Sequence, residues 1–257
     1  MITTADLAVY LDTLLGTATT PDYSTALNGL QLQNSGRLSK LAAAVDFSSA
    51  AISGAIEQRA DTLLVHHGMF WAGLKPYRGA AYRRLKQLID NDIAVYSSHL
   101  PLDRHPVFGN NVLLCQQLGL DPSGEFASFK DSPIGLSGES DIATSELFKR
   151  VQSFASTHLG VAVSSGFSPE KRTRRWGLCT GGGASTESLE EAVNRGLDTI
   201  VVGEGPHHTA VDAREEGITV IYAGHYATET LGVAALASHL AEKFDLEWTM
   251  IDAPTGL

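Results

Sequence analysis

Histidines and carboxylates recur along this chain at short, repeated intervals. LLVHHGMFW (63–71) ends an apolar run with His66 and His67 side by side before a glycine. SSHLPLD (97–103) places Asp103 four residues after His99, GHYATE (224–229) places Glu229 four residues after His225, and GEGPHH (203–208) carries His207 and His208. Four residues is about one helical turn, so a histidine and an acid at that spacing share a face wherever the segment becomes helical. ATETLG looks like such a helix start, with Thr228 or Thr230 as its cap. Imidazole mixed with carboxylate, without thiolate, suits Zn, Mn or Fe(II) rather than a structural zinc knot, which takes cysteines. A bridging carboxylate with terminal His and Asp ligands is a common way to hold two cations ~3.5 to 4 Å apart.

A single histidine after a strand is an ordinary hydrogen-bonded or solvated residue, and the case rests on the coincidence of several at equivalent places. The remaining histidines read as structural: His105 precedes Pro106 in a loop, His158 ends a helical pattern, and His239 lies inside the last one.

The elements that must carry these groups alternate. Helical periodicity runs over 4–15, 48–59, 81–91, 111–118, 145–158, 186–195, 209–216 and 230–244. Between these helices lie β-rich runs at 41–45, 62–66, 93–97, 176–180, 199–203 and 218–223. Several are apolar without alternation, the mark of strands covered on both faces by helices. The chain is therefore expected to be α/β, with mostly parallel sheets flanked by helices and its chemistry at the carboxyl ends of the strands.

The two halves also resemble each other. KLAAAVDFSSAAISGAIEQRADTLLVHHG from Lys40 can be laid beside WGLCTGGGASTESLEEAVNRGLDTIVVGEG from Trp176, and IAVYSSHLPLD beside VIYAGHYATE. That pairs Tyr96 with Tyr222, His99 with His225 and Asp103 with Glu229. The unperiodic stretch over 122–138, rich in Ser, Gly, Pro and Asp, reads as the joint, giving a first α/β half at 1–125 and a second, intertwined half at 126–257.

Composition narrows the function classes. A net charge of -10, with basic residues scattered apart from EKRTRR (170–175), argues against a nucleic-acid surface and makes that run a solvated loop. Cys115, in a helical pattern, and Cys179, in a strand-like one, are too few for a disulfide framework and read as buried thiols. No apolar run approaches a membrane span, and the N-terminal segment reads as an acidic amphipathic helix without a basic leader, so a cytoplasmic protein is expected. No GxxxxGK[ST] loop is present; GGGAS (181–185) reads as a close-packed turn whose N–H groups could hold an anion.

Taken together, NGLQ (28–31), VHHG (65–68), SHLPLD (98–103), GNN (109–111), GGGAS, GEGPHH and GHYATE resemble the Nif-three-like dinuclear metal-centre proteins, often labelled type 2 GTP cyclohydrolase I. The motifs follow in family order over nearly the whole chain, whose length resembles the family's short form. The resemblance implies two similar, interlocked α/β halves and two divalent metal ions per chain (Zn, Fe, Mn or similar). It places the ligands on His66, His67, Asp103, His225 and Glu229, with Glu229 bridging, and makes His99 and His208 substrate-facing or proton-shuttling groups. A toroidal homohexamer, a trimer of dimers, is implied in the same way. The expected activity is metal-dependent hydrolysis of a nucleotide or other phosphate-bearing small molecule, GTP ring opening among them. Arg104, Lys75 and Arg78 are the cations nearest the motifs in sequence. A metal-binding or metal-delivery protein without catalysis, or an interaction scaffold, is the alternative.

Overall fold

A computed structural model describes residues 2–257. The chain divides into two units, Met1–Leu102 with Gly232–Ala253, and Asp103–Leu231 with Pro254–Leu257.

The first unit contains α1 (Thr4–Leu14), β1 (Gly29–Leu32), β2 (Lys40–Asp46), α2 (Ser49–Glu57), β3 (Thr62–His67), α3 (Ala80–Asp90) and β4 (Ala94–Ser97), with β11 (Glu247–Met250) returning to it. Its sheet has the order β1-β4-β3-β2-β11. Pairing is parallel from β4 through β11, and β1 closes the edge antiparallel to β4. β3 is buried along its whole length, which is why TLLVHH shows no alternation. Ile52 of α2, Leu88 of α3 and Leu63, Val65 and Val95 of the strands form one core cluster, each such side chain contributing roughly 1.5 to 3 kcal/mol of burial. The helix starts are set by side chains: Thr3 and Asp6 form a reciprocal capping box on α1, and Ser48 accepts from the Ala51 N–H on α2.

The second unit contains α5 (Asn110–Leu118), β5 (Pro122–Phe129), β6 (Ser132–Ala143), α6 (Thr144–Thr157), β7 (Val163–Ser164), β8 (Arg172–Cys179), α7 (Thr186–Asn194), β9 (Thr199–Val202), α8 (His207–Glu215) and β10 (Thr219–Tyr222). The four-residue α4 (Leu100–Asp103) precedes them, and α9 (His225–Phe244) supplies its first residues to this unit and the rest to the first. The sheet order is β5-β6-β8-β9-β10-β7, parallel at its centre and antiparallel toward both edges. Side chains alternate across it: Leu178, Val201 and Ile221 join Trp176 and the α5 and α6 residues on one face, while Cys179, Ile200, Val202 and Val220 pack with α7 on the other. Both cysteines are free and buried, and burial pushes the Cys115 thiol up to about 12.

The two sequences aligned above form β2-α2-β3-α3-β4 and β8-α7-β9-α8-β10, each with its three strands adjacent and parallel. The stretch 122–138, expected to be a joint, is instead paired strand: β5 and β6 form a hairpin turning at Lys130 and Asp131. Both turn residues have positive φ (48° and 61°), the conformation a two-residue hairpin turn demands and Asn-Gly or Asp-Gly normally supplies. With Lys-Asp there, the turn carried no glycine signal. The expected caps of α9 also differ, because the helix begins earlier, at His225. Thr228 and Thr230 lie inside it, their hydroxyls donating to the carbonyls of His225 and Ala227 at 2.9 Å. No helix among the described residues is long and apolar enough to cross a membrane.

Candidate metal centre

In the first unit, His66 and His67 end β3 and His99 follows β4, the strand beside it. Their rings gather: centroids lie 4.8 Å apart for His66 and His67, 4.9 Å for His66 and His99, and 5.5 Å for His67 and His99. All three residues are buried, and the nitrogens through which they could hold a metal ion lie within 4.8 Å of one another.

Each ring is oriented by an oxygen acceptor on its Nδ1. His66 Nδ1 donates to the Ser98 carbonyl at 2.8 Å, His67 Nδ1 to Asp46 Oδ1 at 2.9 Å, and His99 Nδ1 to Asp22 Oδ1 at 2.8 Å. A carbonyl only accepts, so the proton of neutral His66 sits on Nδ1 and its lone pair on Nε2. Carboxylates impose the same tautomer on the other two. Imidazole held through Nδ1 by an oxygen, with Nε2 as the electron-pair donor, is how proteins prepare histidine for a metal ion.

Asp22 is itself fixed. Its carboxylate accepts from Tyr23 N at 2.7 Å, Asn28 Nδ2 at 2.8 Å and Leu100 N at 3.0 Å, while Asn28 Oδ1 accepts from His99 N at 2.7 Å. Burial pushes the Asp22 carboxyl up, but His99 and these donors outweigh it and hold it below the usual carboxylate range. Gln31 finds its role next to Gly68. Its amide donates to the Ala26 and Leu27 carbonyls at 3.0 and 2.9 Å and accepts from Met69 N at 2.6 Å. A side chain at position 68 would run into that amide, which explains the glycine after the histidine pair.

In the second unit, Asp103, His225 and Glu229 are arranged around the end of β8. Asp103 Oδ1 accepts from Asn110 Nδ2 at 2.8 Å and from Thr180 Oγ1 at 3.5 Å. Asn111 donates to the Asp103 and Ile134 carbonyls at 3.3 and 2.7 Å and accepts from Thr180 N at 2.9 Å, so the GNN motif serves to seat this carboxylate. His225 and Glu229 lie one turn apart on α9, as their spacing required, with His225 Nε2 3.2 Å from Glu229 Oε1. His225 Nδ1 meets Glu204 Oε1 at 3.0 Å. Burial pushes the His225 imidazole down, but the Glu229 and Glu204 carboxylates together raise it to about 9. Gly181 has φ +61°, and a side chain there would collide with the Glu229 carboxylate; its N–H donates to Thr228 Oγ1 at 3.0 Å. The first glycine of GGGAS therefore leaves room for an acid, while Ser185 forms the capping box of α7 with Ser188.

His208 stands apart from these groups. It is exposed in the first turn of α8, its Nε2 3.5 Å from Thr186 Oγ1, beside an exposed His207. Of the cations singled out in the sequence, Lys75 and Arg78 are exposed. Arg104 lines a cavity of about 220 Å³ whose wall includes Asp103, His105 and Asn111.

Sequence reasoning gave no orienting role to Asp22, Asp46, Asn110, Asn111 or Glu204, although the motifs GNN and GEGPHH contain three of them. Two were accessible to the same strand-end rule that found the histidines: Asp46 is the last residue of β2, and Glu204 follows β9 by two positions. Asp22, in an irregular segment 77 residues from its partner His99, carried no such signal.

Comparison with known proteins agrees with this arrangement of motifs. A model of the Duf34/NIF3 (NGG1p interacting factor 3) family matches residues 2–255. The GTP cyclohydrolase 1 type 2 homolog of Deinococcus radiodurans is 37% identical over 254 residues, covering 98% of this chain and 94% of that protein. Its counterpart from Archaeoglobus fulgidus is 35% identical over 255 residues, covering 98% and 99%. Among solved structures, protein ybgI, described as of unknown function, superposes with a TM-score of 0.89 at 35% identity over 100% of both chains.

Proposed function

Because the chain belongs to the Duf34/NIF3 family, we propose that it is a metal-dependent hydrolase of a nucleotide or other phosphate-bearing small molecule, GTP ring opening being one candidate reaction. Two divalent cations of the Zn, Fe or Mn type would be held by His66, His67, Asp103, His225 and Glu229. The observation that carries this reading is the gathering of the first unit's three imidazoles, whose possible ligand atoms lie within 4.8 Å of one another, each ring with its Nδ1 tied to oxygen. That donor set fits a divalent ion, which binds neutral imidazole and carboxylate.

Paired divalent ions supply activation of water at neutral pH and polarisation of the bond to be broken. The chain's own residues do the rest. Asp46 and the Ser98 carbonyl keep His67 and His66 in the tautomer that offers Nε2. Asn110 and Thr180 hold the Asp103 carboxylate. His99, fixed by Asp22, is placed to accept and return a proton at Nε2. His208 is the second shuttle candidate, and its exposure on α8 favours His99. Arg104, on the cavity wall beside Asp103, is the cation assigned to a substrate phosphate.

The relatives named as GTP cyclohydrolase 1 type 2 homologs support the substrate class. Assembly as a homohexamer, a trimer of dimers, and a cytoplasmic setting in keeping with the two free thiols belong to the same reading.

The test combines elemental analysis of protein purified without added metal with turnover of GTP and general phosphoesters. About two ions per chain, and turnover abolished by Glu229→Ala, are expected. Metal near zero, or equal turnover by wild type and variant, overturns the proposal. Slow release of the ions to a modest chelator separates catalysis from metal delivery.

A further inference from the structure

Two partly exposed aromatic side chains flank the histidine cluster of the first unit, and the reaction outlined above gives neither a role. Trp71 is 37% exposed and Tyr23 50% exposed. The Trp71 ring centroid lies 4.7 Å from that of His67 and 4.5 Å from that of His99, edge-on to the latter. Tyr23 is 5.9 Å from Trp71, also edge-on, and 5.8 Å from His99.

Both rings are carried by the segments that orient the imidazoles. Tyr23 directly follows Asp22, and its N–H is one of the donors to that carboxylate. Trp71 lies four residues past His67 on a short turn, its N–H donating to the Gly68 carbonyl at 3.3 Å, with the preceding Met69 N–H held by Gln31. Their backbones are therefore fixed while their rings remain open to solvent. An indole needed only to cover the histidines would bury its surface against them, whereas this one keeps over a third of it in water beside a half-exposed phenol. Flat rings of this kind bind flat rings: bases stack on aromatic side chains, and aromatic pairs accept offset or edge-on geometry.

We infer that Trp71 and Tyr23 form a platform for the planar heteroaromatic ring of the substrate, a purine or similar fused heterocycle, seated beside His67 and His99. This deepens the reading of the protein as a hydrolase of nucleotide-like molecules and rests on it. Trp71 is the specificity-determining residue, selecting substrates that carry a ring over bare sugar phosphates. Tyr23 supplies the second ring.

Calorimetric titration of the full chain with guanosine 5′-monophosphate and with ribose 5-phosphate tests this, using wild type, Trp71→Ala, Trp71→Phe and Tyr23→Ala, with the metal content of each measured in parallel. Trp71→Ala is expected to bind the nucleotide about tenfold more weakly, a loss within the stacking range. Trp71→Phe, which keeps a ring, should stay within about threefold of wild type, and affinity for ribose 5-phosphate should be the same in all four proteins. Equal nucleotide affinity in wild type and Trp71→Ala, an equal loss for ribose 5-phosphate, or no nucleotide binding by wild type overturns the platform. Should Trp71→Ala lose its metal or its fold, Tyr23→Ala and Trp71→Phe carry the same comparison. Metal content and turnover report separately on the hydrolase reading, so a protein that holds two ions and turns over substrate yet ignores the ring fails here alone.

Discussion

Asp46 lies opposite His67 in the parallel register of β2 and β3, and its Oδ1 is 2.9 Å from His67 Nδ1. A ladder partnership thereby becomes a ring-orienting pair: the pairing that builds the sheet also sets an oxygen acceptor against Nδ1 of His67. Asp46→Ala should leave the sheet formed and weaken metal binding about 10- to 100-fold, the usual cost of losing a carboxylate behind a ligating histidine. Competition against a calibrated chelator measures this, and unchanged affinity would remove Asp46 from the site.

Asp22 makes stability depend on acid. Its folded carboxyl sits below the ordinary 3.8, so the stabilisation it contributes is fully present above that value and is lost as pH falls through its lower folded one. Asp22→Asn should be less stable than wild type at neutral pH, and the gap should close as the solution is acidified below 3.8. Urea midpoints of chelator-treated wild type and variant across the acid range give the comparison; a gap of constant size would refute it.

Gly181 is constrained twice, by φ +61° and by the Glu229 carboxylate lying where a side chain would go. Gly181→Ala should cost about 1 to 3 kcal/mol of stability from backbone strain alone and should also reduce the metal bound per chain, because Glu229 must move. Thermal melts together with elemental analysis read both effects. A normal metal content would separate Glu229 from the ions.

Ser185→Ala provides a contrast on the same loop. It removes the acceptor for the Ser188 N–H at the start of α7, which should cost about 1 kcal/mol while leaving metal content unchanged. Loss of metal in this variant would mean that the GGGAS loop acts as a whole rather than through Gly181.

Much of the architecture was legible because β3, β9 and β10 are uninterrupted apolar runs separated by well-formed helical patterns. The edge strands were not. β1 is four residues long with only Gly29 buried, β7 has two residues, and β5 is exposed over its first four positions, so none carries a periodic signal. The β5–β6 hairpin was hidden further by its Lys-Asp turn. At the site, the histidines announced themselves by type and position, and the His225–Glu229 pair by helical spacing. The orienting roles did not: Asp22 reaches His99 from 77 residues away, and GNN showed as a motif without showing that it seats Asp103.

β3 occupies the middle of a five-stranded sheet, bonded on both sides by parallel neighbours. Amides in such a strand exchange with solvent only when the whole domain opens, whereas edges and termini open locally at little cost. His66 and His67 are thus anchored to the part of the first unit slowest to fray, and heating should not release them ahead of the rest. Denaturation and surrender of any ion they hold would then be one cooperative event, visible as a single transition whichever of the two is followed.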